Sequence, residues 1–170
     1  MVGRLFNATL PREGSRLLDP GSGRGAFVEG VIRWCNQHGK PVPHVVAVEE
    51  DRENVASLRA RFGDNPSIEI REGNFLTMES ESFDFIIGNP PYVPITGITA
   101  QERETYRARY RSATNRFDLY ILFYERALQV LNPGGTLVFI TPEKFVYVEG
   151  AGALRKMIAA LDCRELEFVD

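Results

Sequence analysis

The 170-residue sequence has little of several residue types, and each scarcity excludes a class of protein. Two cysteines, Cys35 and Cys163, are too few for a disulfide framework and have no metal-ligand spacing. The two histidines, His38 and His44, also lack a partner at ligand spacing, so no metal site is predicted. No apolar run approaches the roughly 20 residues that cross a bilayer, and the N-terminus has no secretory pattern. We therefore expect a cytoplasmic protein.

A strong charge of either sign is also missing. Lysine and arginine number 20 against 23 acidic residues, which gives a net charge of −3. This balance excludes a strongly basic architectural nucleic-acid binder, but it allows an enzyme with one local basic face. The apolar share of 44% fits a globular fold. The length predicts a single domain over residues 1–170.

Segments with strand and helix patterns alternate along the chain. Strands are predicted at 16–18, 44–49, 67–71, 83–88 and 136–141, with a further one at 165–169. Helices are predicted at 27–39, 53–62, 101–110, 117–131 and 151–161, and Pro133-Gly134-Gly135 is interpreted as the turn that ends the fourth. The strands are mostly continuous apolar runs, which indicates an α/β fold with a doubly wound, mostly parallel sheet. Ligands of such sheets bind at the carboxyl ends of the strands.

A glycine-rich loop follows the first predicted strand. Its candidate ligand-binding residues are Asp19, Pro20, Gly21, Gly23 and Gly25. Closely spaced glycines let the backbone approach a ligand, and the next helix offers free N–H groups. The G-x-G-x-G spacing differs from the dinucleotide fingerprint, and a glycine-rich turn without a ligand is the alternative interpretation.

The second and third predicted strands also end in polar residues. Glu49 directly follows an apolar strand and is placed to accept hydrogen bonds from ribose hydroxyls, although a solvated acidic turn has the same pattern. Asn74 can reach the edge of an adenine and Phe75 can pack on its face. An ordinary core aromatic is the alternative for Phe75.

The most informative segment, Asn89-Pro90-Pro91-Tyr92, follows the fourth predicted strand. Two prolines make the backbone stiff and extended and leave its carbonyls free. The Asn89 amide oxygen and a proline carbonyl can accept both hydrogens of a planar NH₂ group, while the Tyr92 ring stacks on its face. A rigid turn is the alternative interpretation.

The two motifs at 19–25 and 89–92 together resemble S-adenosylmethionine-dependent DNA adenine-N6 methyltransferases whose cofactor motif comes first, the gamma class, including enzymes of restriction-modification systems. Later segments resemble the helix, turn and strand of that family, at 117–120, 122–123, 127–128, 133–135 and 136–142. The resemblance implies a Rossmann-like class I methyltransferase fold, S-adenosylmethionine as cofactor and DNA as partner. It also implies that the target adenine is flipped out of the duplex.

The resemblance also implies individual roles. Residues 19–25 would line the methionine end of the cofactor, Glu49 would bind its ribose, and Asn74 and Phe75 would bind its adenine. Asn74 stands where the family usually has Asp. The catalytic residues would be Asn89, Pro90, Pro91 and Tyr92.

An arginine-rich segment follows the catalytic motif. Between residues 101 and 116 it holds five arginines against two glutamates, among them Arg103, Arg107, Arg109 and Arg111, with Tyr106 and Tyr110 interleaved. The arginines either contact DNA phosphates or form a solvated helix face, and both interpretations stay open.

Other functions share parts of these patterns. The four residues at 89–92, here called the tetrad, also fit a protein glutamine methyltransferase, an RNA base methyltransferase and, less well, a cytosine-N4 methyltransferase. The alternative of another class is a non-catalytic cofactor- or DNA-binding module. The glycine spacing and the tetrad argue against a nicotinamide dehydrogenase. In the resembled family a Thr-Pro element, an antiparallel seventh strand and a target-recognition domain complete the enzyme. We expect this chain to be truncated at both ends and the target-recognition domain to lie elsewhere in the full-length protein.

Overall fold

The structure is a computed structural model that describes residues 1–7, 9–114 and 116–166. It divides into two compact units. The first comprises Met1–Pro90 with Ala127–Ile140, and the second comprises Pro91–Arg126 with the residues from Thr141 onward. The boundary between them falls inside the tetrad at 89–92.

The first unit is built on a five-stranded parallel sheet. Its strands are β1 (Arg16–Pro20), β2 (His44–Glu49), β3 (Ile68–Glu72), β4 (Phe83–Gly88) and β5 (Leu131–Phe139), in the spatial order β3-β2-β1-β4-β5. Its helices are α1 (Val2–Asn7), α2 (Ala26–Gln37) and α3 (Arg52–Phe62). The order reverses direction at β1, which confirms the predicted doubly wound, Rossmann-like α/β architecture.

Continuous apolar runs form the strands because the sheet is buried. Leu17, Val45 and Phe85 stand on neighbouring strands and are each at most 1% exposed. Cys35 of α2 packs into the same cluster, as its place on an apolar helical face indicates. Asp51 begins α3, since its Oδ1 accepts a hydrogen bond from the Asn54 amide at 2.9 Å.

The prediction for Pro133-Gly134-Gly135 is wrong. The long helix, α5 (Leu119–Val130), ends before these residues, and they lie inside β5. The register on β4 shifts there: Phe83 pairs with Leu131 and Phe85 pairs with Thr136, so β5 carries a bulge. The bulge is held because Asn132 Nδ2 donates to Asp84 Oδ1 at 2.8 Å, and the φ of 78° at Gly134 suits glycine.

The second unit contains α4 (Ala100–Arg109), the first part of α5, and α6 (Gly152–Ala159). Thr99 and Glu102 form a capping box that begins α4, in which each side chain bonds the backbone N–H of the other residue. The strand predicted at 165–169 lies largely outside the described residues. In the part of the chain that the structure describes, no helix is long and apolar enough to span a bilayer.

Candidate active site

The glycine loop lies at the carboxyl edge of the sheet, directly after β1. Its first turn is fixed by β2, because the amides of Gly21 and Ser22 both donate to the Val48 carbonyl at 2.9 Å. At Gly23 the φ is +55° and an added Cβ would meet no atom within 4 Å, so this side of the loop is open. At Gly25 the φ is +83° and an added Cβ would come within 2.6 Å of the Phe62 ring. The loop therefore packs closely on α3 at Gly25 and leaves open space at Gly23.

Glu49 connects the end of β2 to this loop. Its Oε2 accepts a hydrogen bond from the Gly23 amide at 2.7 Å, and its Oε1 accepts from Glu50 and Asp51 amides at 3.0 and 2.9 Å. The residue is 8% exposed. A carboxylate has about four acceptor positions, so three N–H bonds leave it able to accept one more hydrogen bond.

The Asp19 side chain at the end of β1 is 0% exposed. Among the described residues neither of its carboxylate oxygens has a hydrogen-bond partner. Burial and the neighbouring Glu49 carboxylate raise the pKa of Asp19 to about 8. Two neighbouring acidic groups, one of them buried without a partner, suit a cationic ligand.

The turn after β3 holds the next two candidate residues. The Asn74 side-chain oxygen accepts a hydrogen bond from the Leu76 amide at 2.9 Å, which forms a local turn typical of Asn and Asp. Phe75 is 5% exposed and belongs to the core. The turn is tied to the sheet edge because the Gly73 amide donates to the Glu49 carbonyl at 2.9 Å.

Asn89 and Pro90 follow β4, which pairs with β1. Gly88, the last residue of β4, is close to the start of the glycine loop: an added Cβ there would lie 3.3 Å from the Pro20 carbonyl oxygen. Asn89 is exposed and Pro90 is buried. The topology thus brings the start of the tetrad beside the residues at the end of β1.

Pro91 and Tyr92 belong to the second unit, in a stretch with no helix or strand of its own. The Tyr92 side chain is 46% exposed. The residues that follow it are held by an antiparallel bridge between Pro94 and Asp118, in which the Leu119 amide donates to the Val93 carbonyl at 2.8 Å. A half-exposed aromatic side chain therefore lies next to an anchored backbone segment.

Comparison with known proteins identifies the family. The sequence profile of the Eco57I restriction-modification methylases matches residues 44–168. The chain belongs to this family. It is 47% identical over 78 residues to the type II methyltransferase M.XhoI of Xanthomonas vasicola, covering 46% of this chain and 14% of that protein.

Two further comparisons cover more of the chain. It is 29% identical over 177 residues to the type II methyltransferase M.BstVI of Geobacillus stearothermophilus, covering 86% of the chain and 32% of that protein. A Listeria monocytogenes structure described as a class I S-adenosylmethionine-dependent methyltransferase superposes with a TM-score of 0.73, at 17% identity, over 94% of this chain and 48% of that one. The likeness confirms the Rossmann-like fold. The chain spans 14% of the length of M.XhoI and 32% of the length of M.BstVI.

In this member of the Eco57I family, the arginine-rich segment consists of α4 and the turn after it. Arg107, Arg109 and Arg111 are exposed, and Arg103 is half-buried. The tyrosines between them have a different role, since Tyr106 is 1% and Tyr110 5% exposed and both belong to the core of the second unit. Arg107, Arg109 and Arg111 are therefore at the surface, whereas the two tyrosines are not.

Several supporting residues carry no strong signal in the sequence. Arg61 of α3 donates to the Arg24 carbonyl and to Glu29 Oε2, which fixes the glycine loop from outside the sheet. Glu125 of α5 is buried and accepts hydrogen bonds from the backbone after α4. Tyr120, at the start of α5, packs beside Tyr92. A single arginine, glutamate or tyrosine in a helix has no spacing that reveals such contacts.

Proposed function

We propose that this chain is the catalytic part of a DNA methyltransferase that transfers a methyl group from S-adenosylmethionine to the N6 amine of an adenine flipped out of the duplex. Membership of the Eco57I family and the similarity to proteins named as type II methyltransferases support a DNA substrate. The observation that carries the proposal is the juxtaposition of the glycine loop and the Asn89 motif at the ends of adjacent strands β1 and β4. The order of the two motifs is that of the gamma class.

The residues at the ends of β1 and β2 fit this cofactor. S-adenosylmethionine carries an ammonium group, a sulfonium and two ribose hydroxyls, and it supplies an electrophilic methyl group when bound. The buried, unpartnered Asp19 carboxylate suits a cationic part of it, and Glu49 retains acceptor capacity for a ribose hydroxyl. The open side of the loop at Gly23 allows close approach of a ligand. Asn74 and Phe75 would then contact the adenine of the cofactor.

The tetrad supplies groups that hold and activate the target amine. An adenine amine is a weak nucleophile because its lone pair is delocalised into the ring. Accepting both of its hydrogens at Asn89 Oδ1 and at the Pro90 carbonyl favours a pyramidal nitrogen with a more available lone pair. With the cofactor bound, that nitrogen would attack the methyl carbon while the methyl–sulfur bond breaks to leave S-adenosylhomocysteine, and one N–H proton would pass to solvent, with no covalent bond to the protein. Pro91 fixes the backbone and the Tyr92 ring stacks on the base, so alignment provides much of the acceleration.

We propose that base recognition belongs to a part of the complete protein other than this chain. Since the chain spans 14% and 32% of the two relatives, we infer that it is a catalytic core and that the residues which read the DNA sequence lie beyond it. The intact mass of the native gene product tests this inference. A native product of 170 residues that methylates a specific site would contradict it.

The deciding experiment is a methyl-transfer assay with the complete gene product. Labelled S-adenosylmethionine is offered with duplex DNA, RNA or protein, and the labelled nucleosides and amino acids are identified. We expect N6-methyladenine in DNA. Labelled N4-methylcytosine, an RNA nucleoside or methylglutamine as the sole product would replace the proposal with the corresponding function.

The role of the tetrad is tested with a matched pair of variants. Asn89→Ala removes the side-chain acceptor and is expected to abolish transfer while the dissociation constant for S-adenosylmethionine stays within about threefold. Asn36→Ala changes an exposed asparagine of α2 and is expected to leave transfer unchanged. Normal turnover by Asn89→Ala would refute the assigned role.

A further inference from the structure

Tyr120 is a fully buried aromatic residue that packs against the exposed ring of Tyr92. The two ring centroids are 6.4 Å apart and the ring planes meet at 85°. Tyr120 is 0% exposed, whereas Tyr92 is 46% exposed. This is the edge-to-face arrangement that aromatic pairs favour, and it leaves much of the Tyr92 side chain exposed to solvent.

The backbone brings these two tyrosines together through the antiparallel bridge already described. Leu119, directly before Tyr120, donates its amide to the Val93 carbonyl at 2.8 Å, directly after Tyr92. The Ile95 amide donates to the Phe117 carbonyl at 3.0 Å on the other side of the bridge. The position of Tyr92 relative to the first turn of α5 is thereby fixed by hydrogen bonds, although Tyr92 itself lies in no helix or strand.

A lysine restrains the Tyr120 ring from a further direction. Lys144 Nζ lies 6.0 Å from the centroid of this ring, within the range of a cation–π contact. The ammonium group is held there by Asp118 Oδ2 at 2.5 Å. Among the described residues the Tyr120 hydroxyl has no hydrogen-bond partner. The contacts that fix Tyr120 therefore involve its ring.

We propose that Tyr120 is a positioning residue, whose buried ring sets the plane of the Tyr92 ring for stacking on the target base. The proposal rests on the proposed function, in which Tyr92 stacks on that base. A tyrosine side chain has several staggered rotamers, and stacking on a flat base needs one ring orientation. Contact with an immobilised ring selects that orientation before the base arrives, which lowers the entropic cost of stacking.

The test separates the Tyr120 ring from its hydroxyl. Tyr120→Phe keeps the ring, and Tyr120→Met keeps a similar apolar volume without a flat ring. The complete gene product is mixed with duplex DNA that carries 2-aminopurine in place of the target adenine, and its fluorescence reports stacking of the flipped base. Tyr120→Met is expected to lose the quenching due to stacking. It is also expected to lower kcat by about 10- to 100-fold, while KM for DNA and the cofactor dissociation constant stay within about threefold.

Two controls distinguish positioning from general stability. Tyr120→Phe is expected to restore the wild-type quenching and kcat. Leu154→Ala removes an equally buried side chain of α6 and is expected to lower the melting temperature without changing the quenching. If Tyr120→Met does not fold, Lys144→Met is the deciding variant, because its side chain is 42% exposed and its replacement should not prevent folding. This variant is expected to reduce the quenching in part.

Each outcome supports or overturns the proposal. Wild-type quenching and kcat in Tyr120→Met, or unchanged quenching in Lys144→Met where that variant decides, would overturn it. An equal loss of quenching and kcat in Tyr120→Phe and Tyr120→Met would show that the hydroxyl causes the effect. The proposal that the ring positions Tyr92 would then be overturned. A wild-type protein that methylates no adenine would instead refute the proposed function, independently of these variants.

Discussion

Glu49 Oε2 accepts a hydrogen bond from the Gly23 amide at 2.7 Å, so the end of β2 fixes the glycine loop that follows β1. Through Oε1 the same carboxylate accepts two more N–H groups, from Glu50 and Asp51 just before α3. The residue predicted to accept from ribose hydroxyls, with a solvated acidic turn as the alternative, therefore supports the structure of the loop. Cofactor affinity should depend on it in both ways.

Glu49→Gln is expected to weaken S-adenosylmethionine binding by about tenfold or more. The substitution removes a charged acceptor, and hydrogen bonds to charged groups contribute about 1.5–3 kcal/mol each. Titration calorimetry with the complete gene product measures the dissociation constant, and Glu50→Gln at the adjacent exposed position is the control. An unchanged dissociation constant in Glu49→Gln would contradict the assignment.

Asp19→Asn is expected to stabilise the ligand-free protein and to weaken cofactor binding. Burial and Glu49 raise the pKa of Asp19 from 3.8 to about 8, so between these values the folded chain holds a proton that the unfolded chain has released. The free energy of unfolding therefore falls as the pH rises through this window. Asp19→Asn removes this dependence of stability on pH. The melting temperature of the variant should therefore exceed that of the wild type by more at pH 8 than at pH 5. A gain that is equal at both pH values would argue against the unpartnered carboxyl.

Gly25→Ala is expected to destabilise the protein by about 2–4 kcal/mol, as the sum of a left-handed backbone and an overlap. Its Cβ would lie 2.6 Å from the Phe62 ring and 2.8 Å from Leu58. Gly39→Ala is the matched control, because its φ is +60° but no atom lies within 4 Å of an added Cβ. It should cost about 1–2 kcal/mol. Urea unfolding of both variants measures the difference, and equal losses would mean that α3 yields to the added methyl group.

Glu125→Gln is expected to destabilise the second unit by about 2–4 kcal/mol. The buried Glu125 carboxylate accepts from the Arg111 amide at 2.9 Å, the Ser112 amide at 2.8 Å and Ser112 Oγ at 2.6 Å. Replacing one oxygen by NH₂ places a donor against donors and leaves a buried N–H unsatisfied. Glu104→Gln on the exposed side of α4 is the control. A free energy of unfolding within about 0.5 kcal/mol of the wild-type value, which is the range typical of surface substitutions, would show that the site adapts.

Replacing Arg107 and Arg109 together by Gln decides between the two interpretations of the arginine-rich segment. If both contact DNA phosphates, the slope of log K against log salt should decrease by about 2, or roughly 1 for each contact. Fluorescence anisotropy with labelled duplex at several salt concentrations measures this slope. An unchanged slope would indicate a solvated helix face.

The sheet could be predicted from the sequence because its strands are short apolar runs that end in glycine, acidic or Asn-Pro segments. His44–Glu49 and Phe83–Gly88 coincide with their predicted ranges. The bulge in β5 could not be predicted, since Pro-Gly-Gly is a turn signal and only the Asn132–Asp84 hydrogen bond reveals a strand there. Local patterns contain no information about a partner 48 residues away.

The candidate site was predictable as a set of residue types and less so as a set of contacts. Asp19 and Glu49 lie within the last two residues of β1 and β2, and Asn89 directly follows β4, so all three are at the carboxyl ends of their strands as predicted. The sequence pattern does not reveal that Asn74 closes its own turn. Nor does it reveal that Tyr106 and Tyr110 are buried between exposed arginines, because both features depend on packing. Tyr120 belongs to a segment quoted for the family resemblance, but its contact with Tyr92 depends on the bridge at Pro94 and Asp118.

That bridge also has an evolutionary consequence. It closes the chain between Ile95 and Phe117 into a loop whose base is held by backbone hydrogen bonds. Doubling the length of a flexible closed loop costs only about 0.6 kcal/mol in closure entropy. Insertions and deletions at exposed positions between the two ends are therefore expected to be tolerated in evolution without moving Tyr92, because the backbone hydrogen bonds at the base of the loop do not change.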